Sequence, residues 1–103
     1  FRIMIRSVFQ YDSVLVVLDE YGNRTGTLPI SGAEYLGYAN NYIVLRYGNM
    51  IVTVDENQRQ LGNIVLPGDY VITGITNNGF LARTGRILQV YDPYCNHIGI
   101  QSI

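Results

Sequence analysis

Apolar residues occur along the chain in short runs separated by clusters of turn formers. The stretch Tyr42 to Pro67, YIVLRYGNMIVTVDENQRQLGNIVLP, holds three runs, Tyr42–Tyr47, Met50–Val54 and Leu61–Leu66, divided by Gly48-Asn49 and by Asp55–Gln60. Runs this short, rich in Val, Ile, Leu and Tyr and bounded by Gly, Asn and Asp, predict β-strands joined by tight turns. Several are apolar at consecutive positions: VLVVL within Ser13–Leu18, YIVL from Tyr42, and MIVTV from Met50. A strand with one solvated face alternates apolar and polar residues, whereas a strand covered on both faces does not. The pattern therefore predicts sheets packed on both sides.

The rest of the chain follows the same rhythm. Phe1–Ile5, Arg6–Tyr11, Ser13–Leu18 and Thr25–Ile30 read as strands, with turns at Asp12-Ser13 and Asp19–Arg24 and a close at Pro29 to Gly32. Ala33–Ala39, AEYLGYA, has a composition that a helix could share. It is too short for an uncapped helix and carries Gly37 inside it, so a strand is expected. Tyr70–Thr76, Gly79–Thr84, Arg86–Tyr91 and His97–Ile103 complete the set, with turns at Asn77 to Gly79, Gly85-Arg86 and Asp92–Asn96. The expectation is twelve strands and no amphipathic helix.

The spacing repeats. Asp19, Asp55 and Asp92 lie 36 and then 37 residues apart, and Gly26, Gly62 and Gly99 keep both offsets. Leu15, Ile51 and Leu88 do so as apolar positions, Asp12, Gly48 and Gly85 as turn residues, and Gln10, Arg46 and Arg83 as polar strand ends. Gly37 and Gly74 also stand 37 apart. A fixed period in this range is the signature of a repeat architecture. It predicts one domain over residues 1–103 with three units, 1–32, 33–68 and 69–103, each a small antiparallel sheet of four strands.

With MIVTVDENQRQLGNIVLP as the central pattern, these units resemble β-propeller blades of the NHL, YVTN and quinoprotein-like groups, over nearly the whole chain. They lack the Trp-Asp ending of WD40 blades and the Trp of quinoprotein repeats, as the chain has no Trp. The resemblance implies an all-β half-propeller of three blades. A ring needs about four to eight blades, so the two outer units need partners: a second copy, giving a six-bladed homodimer, or the remainder of a longer propeller. An engineered or excised propeller fragment fits the same expectation. The rival fold is a β-sandwich or a Greek-key barrel. The resemblance also places ligand sites at a channel mouth formed here by Asp12-Ser13, Gly48-Asn49, Gly85-Arg86, Ser31–Glu34 and Pro67–Asp69. Loops this short favour a scaffold or protein-binding ring over an enzyme.

Composition narrows the functions. The net charge is −1, which leaves no basic surplus to neutralise phosphates, so nucleic-acid binding is not expected. No apolar run approaches the length of a membrane-spanning helix. All seven basic residues are Arg. Cys95 stands alone and forms no internal disulfide; it reads as a small turn residue rather than a reactive thiol. Asp19-Glu20 and Asp55-Glu56 pair carboxylates at turns, but without the ligand spacing of a calcium loop they read as solvated turn residues. The recurring Asp has a local task instead: its carboxylate can accept backbone N–H groups across the following turn.

His97 is the single histidine, too few ligands for a zinc site, and no nucleophile marks an Asp92–His97 catalytic pair. No catalytic, cofactor-binding or metal-ligating residue is assigned. Tyr35, Tyr38, Tyr42, Tyr47 and Tyr70 are dense at mid-chain. As strand formers they are expected to fill the spaces between sheets; with Arg46 and Arg83 they are also the candidate groups for a glycan or peptide. The leading expectation is a structural module that self-associates.

Overall fold

The computed structural model describes residues 4–66 and 68–103 of the 103. They form eleven strands in three antiparallel sheets. The first sheet contains β1 (Ile5–Tyr11), β2 (Val14–Asp19) and β3 (Arg24–Pro29). The central sheet contains β4 (Glu34–Tyr38), β5 (Ile43–Tyr47), β6 (Met50–Val54) and β7 (Gln60–Val65). The third contains β8 (Val71–Thr76), β9 (Gly79–Thr84), β10 (Ile87–Tyr91) and β11 (His97–Ser102).

Neighbours in each sheet are neighbours in sequence, so no Greek-key crossover occurs among the described residues, and no barrel closes. Ala33–Ala39 is a strand over Glu34–Tyr38, as Gly37 argued. The expectation of four strands per unit holds in the second and third sheets. The first has three; the strand expected at Phe1–Ile5 lies outside the described residues except for Met4 and for Ile5, which begins β1. The count is accordingly eleven rather than twelve.

The tight turns follow from backbone chemistry. Asp12, Gly48 and Gly85 take φ of 58°, 61° and 62°, the left-handed conformation that two-residue hairpins require. Antiparallel registers then run without a shift through Tyr47↔Met50 and Thr84↔Ile87. In each sheet a register shift stands in the pairing with the last strand, beside the turn that leads into it: at Val17/Leu18, Thr53/Val54 and Val90/Tyr91.

Strand alternation sorts the central sheet into two apolar faces. Ile43, Leu45, Val52 and Val54 point towards the first sheet and pack with Ile5, Leu15, Val17 and Ile30. Val44 and Ile51 point the other way and pack, with Tyr42, against Phe80, Ala82 and Tyr91 of the third sheet. Tyr42, Ile43, Val44 and Ile51 are fully buried. The doubly apolar strands YIVL and MIVTV thus have a cause: the central sheet is sandwiched. Strand β4 lies against both β1 and β8, so the three sheets meet along these strands and splay away from them.

Candidate functional site

The molecule's distinctive surfaces are the two faces that the sandwich leaves uncovered. On the first sheet, Phe9, Tyr11, Val16 and Leu18 turn away from the central sheet and, with Gly22 and Arg24, line a shallow groove of about 410 Å³. Phe9 and Tyr11 are 50% and 74% exposed. On the third sheet, Leu81, Val90 and Ile98 line a cleft of about 160 Å³ on the face turned away from the centre. Exposed apolar patches of this kind mark interaction surfaces.

Each turn that leads into the last strand of a sheet is built alike. The Oδ1 of Asp19 accepts the N–H groups of Tyr21 and Asn23, each at 2.9 Å. Asp55 accepts those of Asn57 at 2.8 Å and Arg59 at 2.9 Å, and Asp92 those of Tyr94 and Asn96, each at 2.9 Å. Gly22, Gln58 and Cys95 occupy the same place in the turn, with φ of 80°, 64° and 67°. The recurring Asp is therefore a turn clamp.

Two of these turns dock onto the preceding sheet at the recurring glycine. A Cβ on Gly26 would collide with the amide end of the Gln58 side chain in the central sheet's turn. A Cβ on Gly62 would collide with the Tyr94 carbonyl in the third sheet's turn. Beside that glycine, the Thr53 hydroxyl donates to the Pro93 carbonyl at 2.6 Å and sits 3.7 Å from the Cys95 Sγ. A Cβ on Gly99 would make only ordinary contacts with Val90, at 3.8 Å, and no turn among the described residues covers it.

The other residues singled out by sequence find local partners. Arg46 Nε donates to the Gly48 carbonyl at 2.8 Å, Arg83 Nη1 to the Gly85 carbonyl at 3.0 Å, and Gln10 Nε2 to the Asp12 carbonyl at 3.1 Å. The in-register polar residue ties down its own hairpin, a role that charge alone did not reveal; the shared register of Gln10 was the available signal. Tyr35, Tyr38 and Tyr47 pack between the first and central sheets, and Tyr42 and Tyr70 between the central and third. Tyr38 donates to the Arg6 carbonyl at 3.0 Å and Tyr42 to the Thr76 carbonyl at 2.7 Å, so both stitch neighbouring sheets together. Burial pushes Tyr35 up to about 12, with Tyr38 adding to the shift, and raises Tyr42, Tyr70 and Tyr91 in the same direction.

His97 Nε2 lies 2.6 Å from Gln89 Oε1 and edge-on to Tyr91, while Asp92 spends its carboxylate on its own turn. Sequence proximity thus does not make an acid–histidine pair. Among the described residues no three His, Cys, Asp or Glu side chains come together in a way that could hold a metal ion. Cys95 is buried. A separate cleft of about 390 Å³ between the central and third sheets is lined by Leu66, Tyr70, Ala82, Thr84, Ile87, Gln89 and Tyr91. There the Arg46 guanidinium stacks 4.4 Å from the Tyr70 ring centroid, and the buried Tyr70 hydroxyl has no hydrogen-bond partner among the described residues.

No family model matches the chain, and no curated protein matches it. Its fold is similar to that of a crystallised protein of unknown function from Bacteroides caccae, with a TM-score of 0.58 and 12% sequence identity over 95% of this chain and 39% of that one. A second structure, KlHsv2 with loop 6CD replaced by a Gly-Ser linker, aligns at a TM-score of 0.49 and 14% identity over 98% of this chain and 40% of that one. The chain thus spans about two fifths of the length of each.

Proposed function

We propose that the three sheets are blades of a β-propeller and that the chain is a structural module, two copies of which close a six-bladed ring. The carrying observation is that each bare end face repeats, position for position, a face buried inside the molecule. Phe9, Val16 and Leu18 stand in register with Leu45, Val52 and Val54, which the first sheet covers, while Leu81, Leu88 and Val90 stand in register with Val44, Ile51 and Thr53, which the third sheet covers. The end faces therefore match each other rather than themselves, and the contact they favour is head-to-tail. Such a contact closes a ring when the rotation per unit divides a full turn. The Cα extents of 40 × 30 × 19 Å support a half-turn per chain, since the shortest is about half the longest, as in half a disc.

Sedimentation equilibrium at micromolar concentration tests this. The expected species has twice the mass of the chain; a stably folded monomer would sink the ring. The competing arrangement, in which further sheets of a longer chain cover the end faces, predicts that these 103 residues alone give a folded monomer or no stable fold.

The cleft at Tyr70 supports a second reading, recognition of a glycan or peptide. Its buried hydroxyl, without a hydrogen-bond partner among the described residues, and the stacked Arg46 offer polar groups beside apolar walls. Glycan and peptide arrays probed with the protein check it, and an absence of hits would remove it.

A further inference from the structure

The recurring glycines carry the association one step further. Gly62 is a notch: the Asp-clamped turn of the third sheet sets the Tyr94 backbone carbonyl against it and leaves no room for a Cβ, while at Gly26 the central sheet's turn lays the amide end of the Gln58 side chain over the same place. Gly99 keeps the same register yet receives no turn among the described residues, and its surroundings would admit a side chain. At the opposite end, the Asp19–Asn23 turn has the same clamp and the same left-handed residue as the two docked turns, but among the described residues it has no preceding sheet to dock on. Tyr21, the counterpart of Asn57 and Tyr94, is 74% exposed.

Resting on the ring reading above, we infer that Gly99 is the receptor for the Asp19–Asn23 turn of a second copy, and that this turn-into-notch contact fixes the direction and register of assembly. The docked pair inside the chain supplies the contact list. Thr53 meets Pro93 and Cys95, so in the interface Val90 meets Glu20 and Gly22 of the second copy. Half-buried Val90 and exposed Ile98, which line the same cleft, form the walls of the seat beside Gly99. A glycine at position 99 then has a reason that lies outside its own chain, as backbone approach explains it at position 62.

Two variants test the contact. Gly99→Val fills the notch without strain in its own chain, because the backbone there is not left-handed and a Cβ would make only ordinary contacts with Val90. The expected result is an unchanged far-ultraviolet spectrum with a dimer dissociation constant raised roughly ten- to hundred-fold, the effect of overpacking a close interface. The double variant Gly22→Cys/Val90→Cys places thiols where Cys95 and Thr53 stand 3.7 Å apart, and position 22 already has the backbone that Cys95 adopts. It is expected to form a covalent two-chain species on oxidation, which neither single variant forms.

A wild-type dimer that Gly99→Val leaves intact, or that the double variant fails to cross-link, overturns the notch contact while the association reading stands. A wild-type protein that is a folded monomer overturns both.

Discussion

The Thr53 hydroxyl donates to the Pro93 carbonyl at 2.6 Å, joining the middle of β6 to the turn after β10 across forty positions of sequence. Thr53 is fully buried, and its counterparts in the other sheets are Val17 and Val90. Valine therefore fits this strand position in shape, and Thr53→Val removes the hydroxyl with little change in volume. The expected cost is about 1 kcal/mol, the net worth of an ordinary hydrogen bond. Urea unfolding of the two proteins measures it; an unchanged midpoint would mean that the bond contributes nothing to docking of the turn.

The aspartate clamps predict a graded response. Asp55→Ala strips the acceptor from the Asn57 and Arg59 N–H groups and is expected to cost about 1–3 kcal/mol. Asp55→Asn retains an oxygen at the same place and should cost less. Thermal unfolding gives the ranking. Amide hydrogen exchange localises it, with the Asn57 and Arg59 amides exchanging faster in the alanine variant and the Leu45 amide at mid-sheet unaffected below global unfolding.

These clamps were legible in sequence because the turn demands a specific acceptor, and only a short carboxylate at one offset supplies it. The recurrence of Asp19, Asp55 and Asp92 therefore survives where most side chains diverge. The left-handed residue of the same turn was not legible, since Gln58 and Cys95 hold it as well as Gly22 does. Their conformation is imposed by the clamp, and no intrinsic preference announces it. The arginines misled for a related reason: Arg46 and Arg83 suggest charge recognition, but what the hairpin uses is a side-chain N–H, which Gln10 supplies equally. Strand boundaries were nearly readable, as with Met50–Val54 and Gly79–Thr84, because turn residues bracket them tightly. Which sheet faces are bare depends on how the sheets stack, and that is a property of long-range packing.

Cys95 is expected to be unreactive in the native protein. Its thiol is buried against Thr53; burial disfavours the thiolate, and Asp92 adds to that, outweighing the opposing effect of the contact with the Thr53 hydroxyl. Nucleophilic attack requires the thiolate and access to it. Modification by a disulfide reagent at mildly alkaline pH should be slow in buffer and fast in denaturant, with the native rate rising in Thr53→Val if turn opening is the route. Immediate stoichiometric labelling of the folded protein would contradict the buried assignment.

The interfacial tyrosines set an alkaline limit on stability. Burial raises Tyr35 to about 12, and it raises Tyr42, Tyr70 and Tyr91 in the same direction, from an ordinary value near 10. The unfolded chain releases these protons first, so between about pH 10 and the raised native values it binds fewer protons than the folded one, and stability falls as pH rises. Below about pH 10 these four residues contribute no slope. Denaturant midpoints measured from pH 8 to 12 should therefore be level at first and then decline. Tyr35→Phe, which keeps the ring and removes the ionisable group, should make the decline shallower. A midpoint that stays level to pH 12 would show that these hydroxyls ionise in place.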